Sequence, residues 1–385
     1  MKKHLWPLYI AEFFRSLSFF VPIWILFFQS RGLDLADVGF VATGIYLASV
    51  ILEYPSGIFA DKFGRKTSVM VAIIMSCIAL VLEVTAYSTI QFFIGALFIG
   101  ASFAFTSGAK EALIYDTLKD LKLQRYNSKV LGILDTIGAV GAILSSLLGS
   151  FLYDIQGTLP YFLTITAYII ALIFITFLRE PKYKKDGEII DTLKNFKDGL
   201  KIVWNNPVLK SLLLLYIPLF FFEEAWHNAK QPILLGLGMP LVLLGAYHAT
   251  QQIISGIGGM TLPKLLDKFN HKTLLLGIIL FEAFIWFVLG SNSLIPVIIF
   301  SYMLMIIHQL WNYVDADIIH NHISSHVRAT TLSARQMLIS LIWVFNPWLM
   351  GALVDTFDRN ILFPVFGGLV LFVGLFVFLW RKNNL

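Results

Sequence analysis

The chain has 385 residues, of which 57% are hydrophobic and only 14% are charged. A soluble domain carries about 25% charged residues, so this composition excludes an ordinary water-soluble protein and indicates a chain that folds in a lipid bilayer. The formal net charge is +5, and the single cysteine excludes an intrachain disulfide.

Twelve apolar segments follow one another along the chain, each long enough to cross about 30 Å of hydrocarbon as a helix. The first contains Glu12 and Arg15 and is followed by no small-residue cleavage site, so we interpret it as a retained helix and not as a secretory signal. The predicted membrane helices cover roughly residues 6–29, 36–60, 68–88, 89–118, 128–153, 160–178, 207–236, 240–263, 272–291, 293–319, 329–355 and 361–380.

The basic residues between the spans predict the orientation. Lys and Arg residues concentrate in the termini and the even-numbered loops, whereas the odd-numbered loops carry only Arg31 and Arg359. This asymmetry predicts a multi-pass protein of the inner (plasma) membrane with both termini in the cytoplasm. Because the basic residues are spread over several segments and form no groove-like patch, nucleic acid is not an expected partner.

The loop after the second predicted helix reads Gly57-Ile-Phe-Ala-Asp61-Lys-Phe-Gly64-Arg65-Lys66. We expect Gly57 to permit close helix approach and Gly64 to permit a tight turn. Asp61 can face a helix N-terminus or a basic neighbour such as Arg65. A purely topological role for the basic residues is compatible with these roles.

This Gly-x3-Asp-(Lys/Arg)-x-Gly-Arg-(Lys/Arg) pattern resembles the loop signature of the major facilitator superfamily of secondary transporters. The resemblance implies an all-α integral membrane fold, with 12 transmembrane helices in two six-helix bundles around a central cavity. It also implies a conformational latch. The latch residues carried over from the family are Gly57, Asp61, Gly64 and Arg65.

The segment Ser107-Gly-Ala-Lys-Glu-Ala-Leu-Ile-Tyr-Asp116 ends the fourth predicted helix and is similar to a segment of drug-exporter-like members. This resemblance places Asp116 near the Asp61 loop, as a further latch residue. The fourth helix lacks the Arg-x-x-Gln-Gly pattern of proton-coupled drug antiporters, and the fifth lacks their Gly-Pro element. The resemblance therefore supports transport more strongly than antiport.

A polar stretch at 179–206 divides the chain into an N-terminal bundle, 1–178, and a C-terminal bundle, 207–385. Asp61–Thr67 is echoed 206 residues later by Asp267–Thr273, which favours a six-plus-six repeat. Within the linker, apolar residues at helical spacing predict an amphipathic helix on the inner leaflet, with a solvated connector as the alternative. These residues are Ile189, Leu193, Phe196, Leu200 and Val203.

Polar residues inside the predicted spans define the candidate cavity. A charge at mid-bilayer costs at least roughly 2.5–3.5 kcal/mol, so such residues should face protein or water. They concentrate on helices 1, 4, 7 and 10, which line the cavity in the fold that the resemblance implies. Arg15 would hold an anionic substrate or pair with a carboxylate of helix 7, and Gln251 on helix 8 would bond either a ligand or a neighbouring helix. The substrate-cavity candidates are Arg15, Glu111, His227, Lys230, Gln251, His308, Trp311, Asn312 and Asp315.

Two helices carry stripes of polar residues with i, i+4, i+7 spacing, which places each stripe on one helix face. One stripe is Glu223, His227 and Lys230, and the other is His308, Asn312 and Asp315. We predict that Glu223 or the adjacent Glu224 is the proton-coupling carboxylate. The alternative is that Glu223 and Lys230 form a structural ion pair.

Three further carboxylates lie within the spans. Glu53 and Asp135, in helices 2 and 5, are candidate proton-relay groups, with structural pairing as an equal alternative. Glu282 lies in the middle of a predicted peripheral helix, where no role follows from its position.

The sequence contains no Gly-Lys-Ser phosphate loop, HExxH or Gly-x-Ser-x-Gly motif, so an ATPase or hydrolase is not expected and no cofactor is implied. His320, His322 and His326 lack a metal-ligand spacing and are interpreted as part of a solvated loop, so no metal site is predicted.

We predict a monomeric secondary transporter that moves a small, partly apolar organic solute by alternating access, as proton-coupled efflux. The alternatives are uptake of a nutrient or metabolite by symport, and a non-transporting receptor or scaffold.

Overall fold

The computed structural model describes residues 2–181, 201–323 and 325–381. Within these ranges the protein is helical and contains no strand. The first half comprises α1 (Lys2–Arg15), α2 (Trp24–Ser30), α3 (Leu35–Phe63), α4 (Arg65–Thr85), α5 (Thr89–Thr106), α6 (Ala109–Asp120), α7 (Asn127–Ile155) and α8 (Leu159–Thr176), with a 3-10 turn at Gln124–Tyr126.

The second half comprises α9 (Pro207–Phe220), α10 (Glu223–Gly236), α11 (Leu243–Thr261), α12 (Pro263–Leu266), α13 (His271–Leu289), α14 (Leu294–His322), α15 (Ser325–Thr356) and α16 (Arg359–Arg381). The contacts group the chain into two compact units. The first unit is Met1–Gly187 with Pro240–Gln252, and the second is Glu188–Met239 with Ile253–Leu385.

Most of the predicted amphipathic linker helix lies outside the described residues, including Ile189, Leu193, Phe196 and Leu200. Its last residues, 201–205, are described and helical, with Val203 buried and Trp204 exposed.

Nine helical segments in the described ranges are long and apolar enough to cross a membrane. The three other predicted spans fall on α1 with α2, on α9 with α10, and on α11. The first two of these are interrupted helices. The protein is therefore an all-helical membrane protein, and the number of twelve spans stays a prediction.

The first predicted span is interrupted, because residues 16–23 leave the helical path between α1 and α2. An interruption exposes backbone groups that must find other partners. Two side chains of α8 lie against it: Thr164 Oγ1 accepts a hydrogen bond from Phe19 N at 3.0 Å, and the Tyr168 hydroxyl lies 2.9 Å from Ser18 Oγ. Pro22 also lies inside this segment and has no backbone N–H to donate, so a helix-breaking residue and these tertiary contacts coincide at the break.

Two further breaks separate α5 from α6 and α9 from α10. Gly108 lies at the first, with a φ of +67° that suits a residue without a Cβ. At the second, Asn346 Nδ2 donates to the carbonyl of Phe221 at 2.9 Å, three residues after Pro218. At each break one helix ends and another begins within a predicted membrane span. The helix termini therefore lie inside the span and not at its ends.

Each unit has its own apolar core. In the first unit, Leu5, Leu113 and Val130 are buried between α1, α6 and α7. In the second, the Trp286 ring of α13 meets Phe363 and Phe366 of α16 edge-on, at centroid distances of 5.3 and 5.5 Å. Large apolar side chains also point outward, as a lipid-facing surface requires. Examples are Ile295, Phe345 and Phe372.

Candidate functional site

In the first unit an ionic cluster forms where α1 ends and α6 begins. Glu12 Oε1 lies 2.8 Å from Arg15 Nη2 and 2.9 Å from Lys110 Nζ, while Arg15 Nε donates to Glu12 Oε2 at 3.3 Å. Arg15 is the last residue of α1, where the helix dipole favours a cation. One carboxylate therefore serves two cations, and the cluster carries an excess charge of +1.

This ionic cluster lines a cavity of about 270 Å³ inside the first unit. Ser76, Ser102 and Tyr168 supply further polar atoms, and the remaining wall is largely apolar. A pocket with apolar walls and a few convergent polar groups is the usual form of a small-molecule site. This one could accept a partly apolar molecule that carries an anionic or strongly polar group. Neither Glu12 nor Lys110 was among the predicted cavity residues, although Glu12 lies one helical turn from Arg15.

The loop between α3 and α4 brings two predicted latch residues together. Arg65 forms an ion pair with Asp116 of α6. Gly64 has a φ of +103°, and a Cβ there would lie 2.6–2.8 Å from the Glu180 carboxyl group, so only glycine fits. Asp61 is exposed. Among the described residues, no atom lies within 4 Å of where a Cβ on Gly57 would be, and its role in a close helix approach stays a prediction.

The same loop is tied to the start of the linker. Lys66 Nζ donates to the carbonyls of Thr176 and Leu178 at 2.8 and 2.7 Å, at the C-terminal end of α8. In return, Glu180 Oε1 accepts from Lys66 N at 3.1 Å, at the beginning of α4. Each contact satisfies backbone groups at a helix end.

In the second unit three titratable side chains form a chain, which we call the carboxylate–imidazole chain: Glu223, His308 and Glu282. Glu223 Oε1 lies 3.0 Å from His308 Nδ1, and Glu282 Oε1 lies 3.5 Å from His308 Nε2. Their side chains are 36%, 7% and 0% exposed, respectively. The ring of Phe220 stacks on the imidazole at 4.4 Å. The structure thus pairs Glu223 with His308 of α14 rather than with Lys230.

Glu223 and Glu224 occupy the first turn of α10, immediately after the break from α9. A carboxylate is favoured at a helix N-terminus, so the break itself helps to hold these groups within an apolar segment. Glu224 Oε2 lies 3.8 Å from His227 Nδ1, and Lys230 is buried.

A second buried ion pair joins α14 to α15. Arg335 Nη1 and Nη2 donate to the two oxygens of Asp315 at 2.8 and 2.9 Å, and the side chains are 9% and 12% exposed. Such a two-point contact fixes the geometry of both residues. Arg335 was not among the predicted site residues, and its position inside an apolar span was the only signal for it.

The other predicted residues are more dispersed. The indole of Trp311 is buried and meets Phe220 edge-on, and Gln251 Nε2 donates to the Tyr247 hydroxyl at 3.3 Å. Glu53 Oε1 accepts from Ser107 Oγ at 3.1 Å. Five of these dispersed residues are exposed: Glu53, Glu111, Asp135, His227 and Asn312.

The two units place different side chains at equivalent positions. The offset of 206 residues that relates the loops also relates the starts of α4 and α13, Arg65 and His271. It matches Ser76 with Glu282, and Ser102 with His308. In the first unit the hydroxyls of Ser76 and Ser102 lie 2.7 Å apart, and in the second the equivalent residues are the inner pair of the carboxylate–imidazole chain.

Comparison with known proteins gives a consistent result. The model of the Major Facilitator Superfamily matches residues 8–319. An uncharacterised MFS-type transporter, YxaM of Bacillus subtilis (strain 168), is 26% identical over 265 residues, which cover 67% of this chain and 64% of that protein. Multidrug resistance protein 1 of the same organism is 24% identical over 214 residues, covering 55% and 53%. The chain thus spans about half to two thirds of the length of these curated relatives.

Solved structures resemble almost the whole chain. A mutant of the nucleoside transporter NupG has a TM-score of 0.79 at 17% identity and covers 97% of this chain and 98% of its own. A D-xylose-proton symporter has a TM-score of 0.69 at 14% identity and covers 96% and 94%. At these identities the likeness shows the fold alone.

Proposed function

Since the chain belongs to the major facilitator superfamily, we propose that it exports a small, partly apolar organic solute in exchange for protons. The family and the fold make it a multi-pass inner-membrane transporter of small molecules, and members of this family are not enzymes. Export, proton coupling and the residues responsible are the content of the proposal. We further propose that it works as a monomer with both termini in the cytoplasm.

The observation that carries the proposal is the contact between Glu223 and His308. Coupling requires a group that gains and loses a proton as the protein changes conformation. Glu223 is about one-third exposed and lies 3.0 Å from an imidazole that is almost buried, so a proton bound by the carboxylate has a second titratable group beside it. Glu224, which lies beside His227, and the exposed Asp135 and Glu53 are assigned at most accessory roles.

The solute would bind in the cavity of the first unit. Its apolar wall suits a partly apolar molecule, and the excess positive charge of the Glu12–Arg15–Lys110 cluster suits an anionic or strongly polar substituent. The remaining cavity candidates are each proposed to contact the solute during transport. These are Gln251, Lys230, Trp311, Asn312 and Asp315.

Two relatives support the export direction, since they are named as a multidrug resistance protein and a class H tetracycline resistance protein. We propose that the Arg65–Asp116 ion pair, with Gly64 beside it, holds one conformation of the transport cycle. In the same loop, Asp61 would contribute its charge and Gly57 its small size to holding that conformation.

The proposal is tested with purified protein in liposomes. Tetracycline and norfloxacin are the probes, and their flux is measured with and without an imposed pH gradient. We expect the gradient to drive flux in the wild type and to have no effect on Glu223→Gln. The matched control is Asp358→Asn, which changes an exposed carboxylate of the same half. Gradient-driven flux that persists in Glu223→Gln would refute the assigned role.

Uptake by symport is the second candidate, because the solved structures with this fold include a D-xylose-proton symporter. The same liposomes distinguish the two directions. An outward proton gradient and an inward one are imposed in turn, with xylose and uridine added to the probes. Solute movement in the same direction as protons would favour symport, and binding without any flux would favour a receptor.

A further inference from the structure

Glu282 is the most deeply buried acidic side chain of the carboxylate–imidazole chain, with an exposure of 0%. Within the described parts of the chain, neither of its oxygens has a hydrogen bond of acceptable geometry. Its ion-pairing partner is His308, 3.5 Å away. An ionised carboxylate in such surroundings is costly unless it is paired and hydrogen-bonded, so a residue of this kind calls for a specific explanation.

We infer that Glu282 is the inner proton-binding residue of the transporter, which receives its proton from Glu223 through His308. This inference rests on the proposed function and adds a residue to it. Exposure falls from 36% at Glu223 to 7% at His308 and to none at Glu282. The three groups therefore lead from a partly exposed carboxylate to a fully buried one.

The imidazole is placed to pass a proton between the carboxylates. Its Nδ1 lies nearest Glu223 and its Nε2 nearest Glu282, but neither nitrogen makes a hydrogen bond of acceptable geometry to a described residue, so transfer requires a small reorientation of the ring. When the neutral ring carries its hydrogen on Nε2, protonated Glu223 gives its proton to Nδ1 and the Nε2 hydrogen moves to Glu282. Glu223 is left ionised, Glu282 is neutral, and the ring has changed tautomer. One proton enters the chain and none is lost.

The charges of the neighbouring carboxylates are compensated by nearby cations or imidazoles, whereas that of Glu282 is compensated least. Glu282 is therefore the group that we expect to bind this proton. Asp315 is neutralised by Arg335 within a two-point contact, and Glu224 lies against His227. Lys230 offsets the charge of Glu223 on their shared helix face. Glu282 is left with the imidazole, for which Glu223 competes, and with the indole of Trp286 on its own helix. The charged and titratable side chains around the site are Tyr216 of α9, Glu223, Glu224, His227 and Lys230 of α10, Glu282 of α13, His308 and Asp315 of α14, and Arg335 of α15.

The 206-residue offset predicted from the sequence pairs these ionisable residues with neutral ones in the first unit. At the equivalent positions of the first unit, Ser76 and Ser102 join the third and fourth helices of their half by a neutral hydrogen bond. A helix pair of the same kind is thus held together without charge. The second unit has an ionisable carboxylate and imidazole where the first unit has two hydroxyl groups. This difference argues for a role of Glu282 and His308 in proton binding.

Infrared difference spectroscopy of the purified protein, titrated with acid and base, tests this inference without any transported solute. The signal is the carbonyl stretch of protonated carboxyl groups. Glu282→Gln should remove one titrating component. His308→Gln should move the midpoint of that component by at least about 1 pH unit, because the neighbouring imidazole is lost.

Glu83→Gln is the matched control, because Glu83 is a buried carboxylate of α4, the third-helix counterpart in the first unit. Its own component should be unaffected by His308→Gln. An unchanged spectrum in Glu282→Gln, or an unmoved midpoint in His308→Gln, would overturn the inference. If Glu282→Gln does not fold, the His308→Gln titration alone decides.

The spectroscopic result is independent of flux. If proton-driven transport fails while the Glu282 component titrates as expected, the proposed function is wrong and the proton site stands. If transport is proton-driven while the spectrum excludes Glu282, the proposed function stands and this inference falls.

Discussion

The two halves of the protein use the same pair of helix positions for different purposes. In the first half Ser76 and Ser102 form a short neutral contact and line an open cavity. In the second half Glu282 and His308 fill the equivalent positions with an ionisable pair. The two halves thus pair the same helices through interior side chains of different chemistry, neutral in the first half and ionisable in the second. We infer that the first half provides room for a solute and the second provides sites for protons.

The largest expected effect comes from the buried ion pair of the second half. Asp315→Asn leaves the Arg335 guanidinium buried without its counter-charge, since the two side chains are only 12% and 9% exposed. We expect the free energy of unfolding to fall by about 3–5 kcal/mol. The measurement is denaturant unfolding of the detergent-solubilised protein, followed by the fluorescence of its tryptophans.

Arg65→Gln in the first half is the comparison for this variant. Its ion pair with Asp116 is more accessible, at 21% and 17% exposure. We expect a loss of about 1 kcal/mol, because water can solvate the remaining carboxylate. Equal losses for Asp315→Asn and Arg65→Gln would contradict the view that the more deeply buried of these two ion pairs lies in the second half.

A smaller loss of unfolding free energy is expected for Glu12→Gln, a variant of the ionic cluster in the first half. Arg15 and Lys110 would lose their shared partner, but they are 35% and 24% exposed and stay partly solvated. We expect the free energy of unfolding to fall by about 1–3 kcal/mol.

The same variant should bind an anionic probe more tightly, because two cations now face the cavity. Equilibrium dialysis of nalidixic acid at mildly alkaline pH, where this quinolone is an anion, against the wild type and Glu12→Gln checks this expectation. Weaker binding would show that Glu12 itself holds the solute.

The smallest effect is expected for Ser102→Ala. It removes one neutral hydrogen bond and should cost about 1 kcal/mol of unfolding free energy. The response of transport to the pH gradient should not change, whereas His308→Gln at the equivalent position should abolish it. If transport by Ser102→Ala lost its response to the pH gradient, the proposal that proton sites lie in the second half would be wrong.

Much of the fold could be predicted from the sequence because its signals are local. Apolar runs, the Asp61 loop and its echo at Asp267 indicated a helical membrane protein with an internal repeat. The break between α1 and α2 has one local signal, Pro22, but its extent also depends on Thr164 and Tyr168 of α8. A contact between residues about 150 positions apart leaves no trace in local periodicity.

The site was predicted only in part, for a similar reason. Helical spacing placed Glu223 and His308 on polar faces, but it could not show that these faces meet. Glu282 stood alone on an apolar helix, and the significance of its position depends on the imidazole of α14. Arg335 likewise gains its role from Asp315 on a different helix. Pairing across helices is a property of packing, which one sequence does not reveal.

The reciprocal contacts of Lys66 and Glu180 bear on how this protein can be engineered. A fluorescent reporter or protease site inserted between Thr176 and Glu180 would separate the lysine from the two carbonyls that it bonds and the glutamate from the amide that it caps. An insertion placed just after residue 181 would leave this junction whole. We therefore expect insertions before Glu180 to disrupt the protein and insertions after residue 181 to be tolerated.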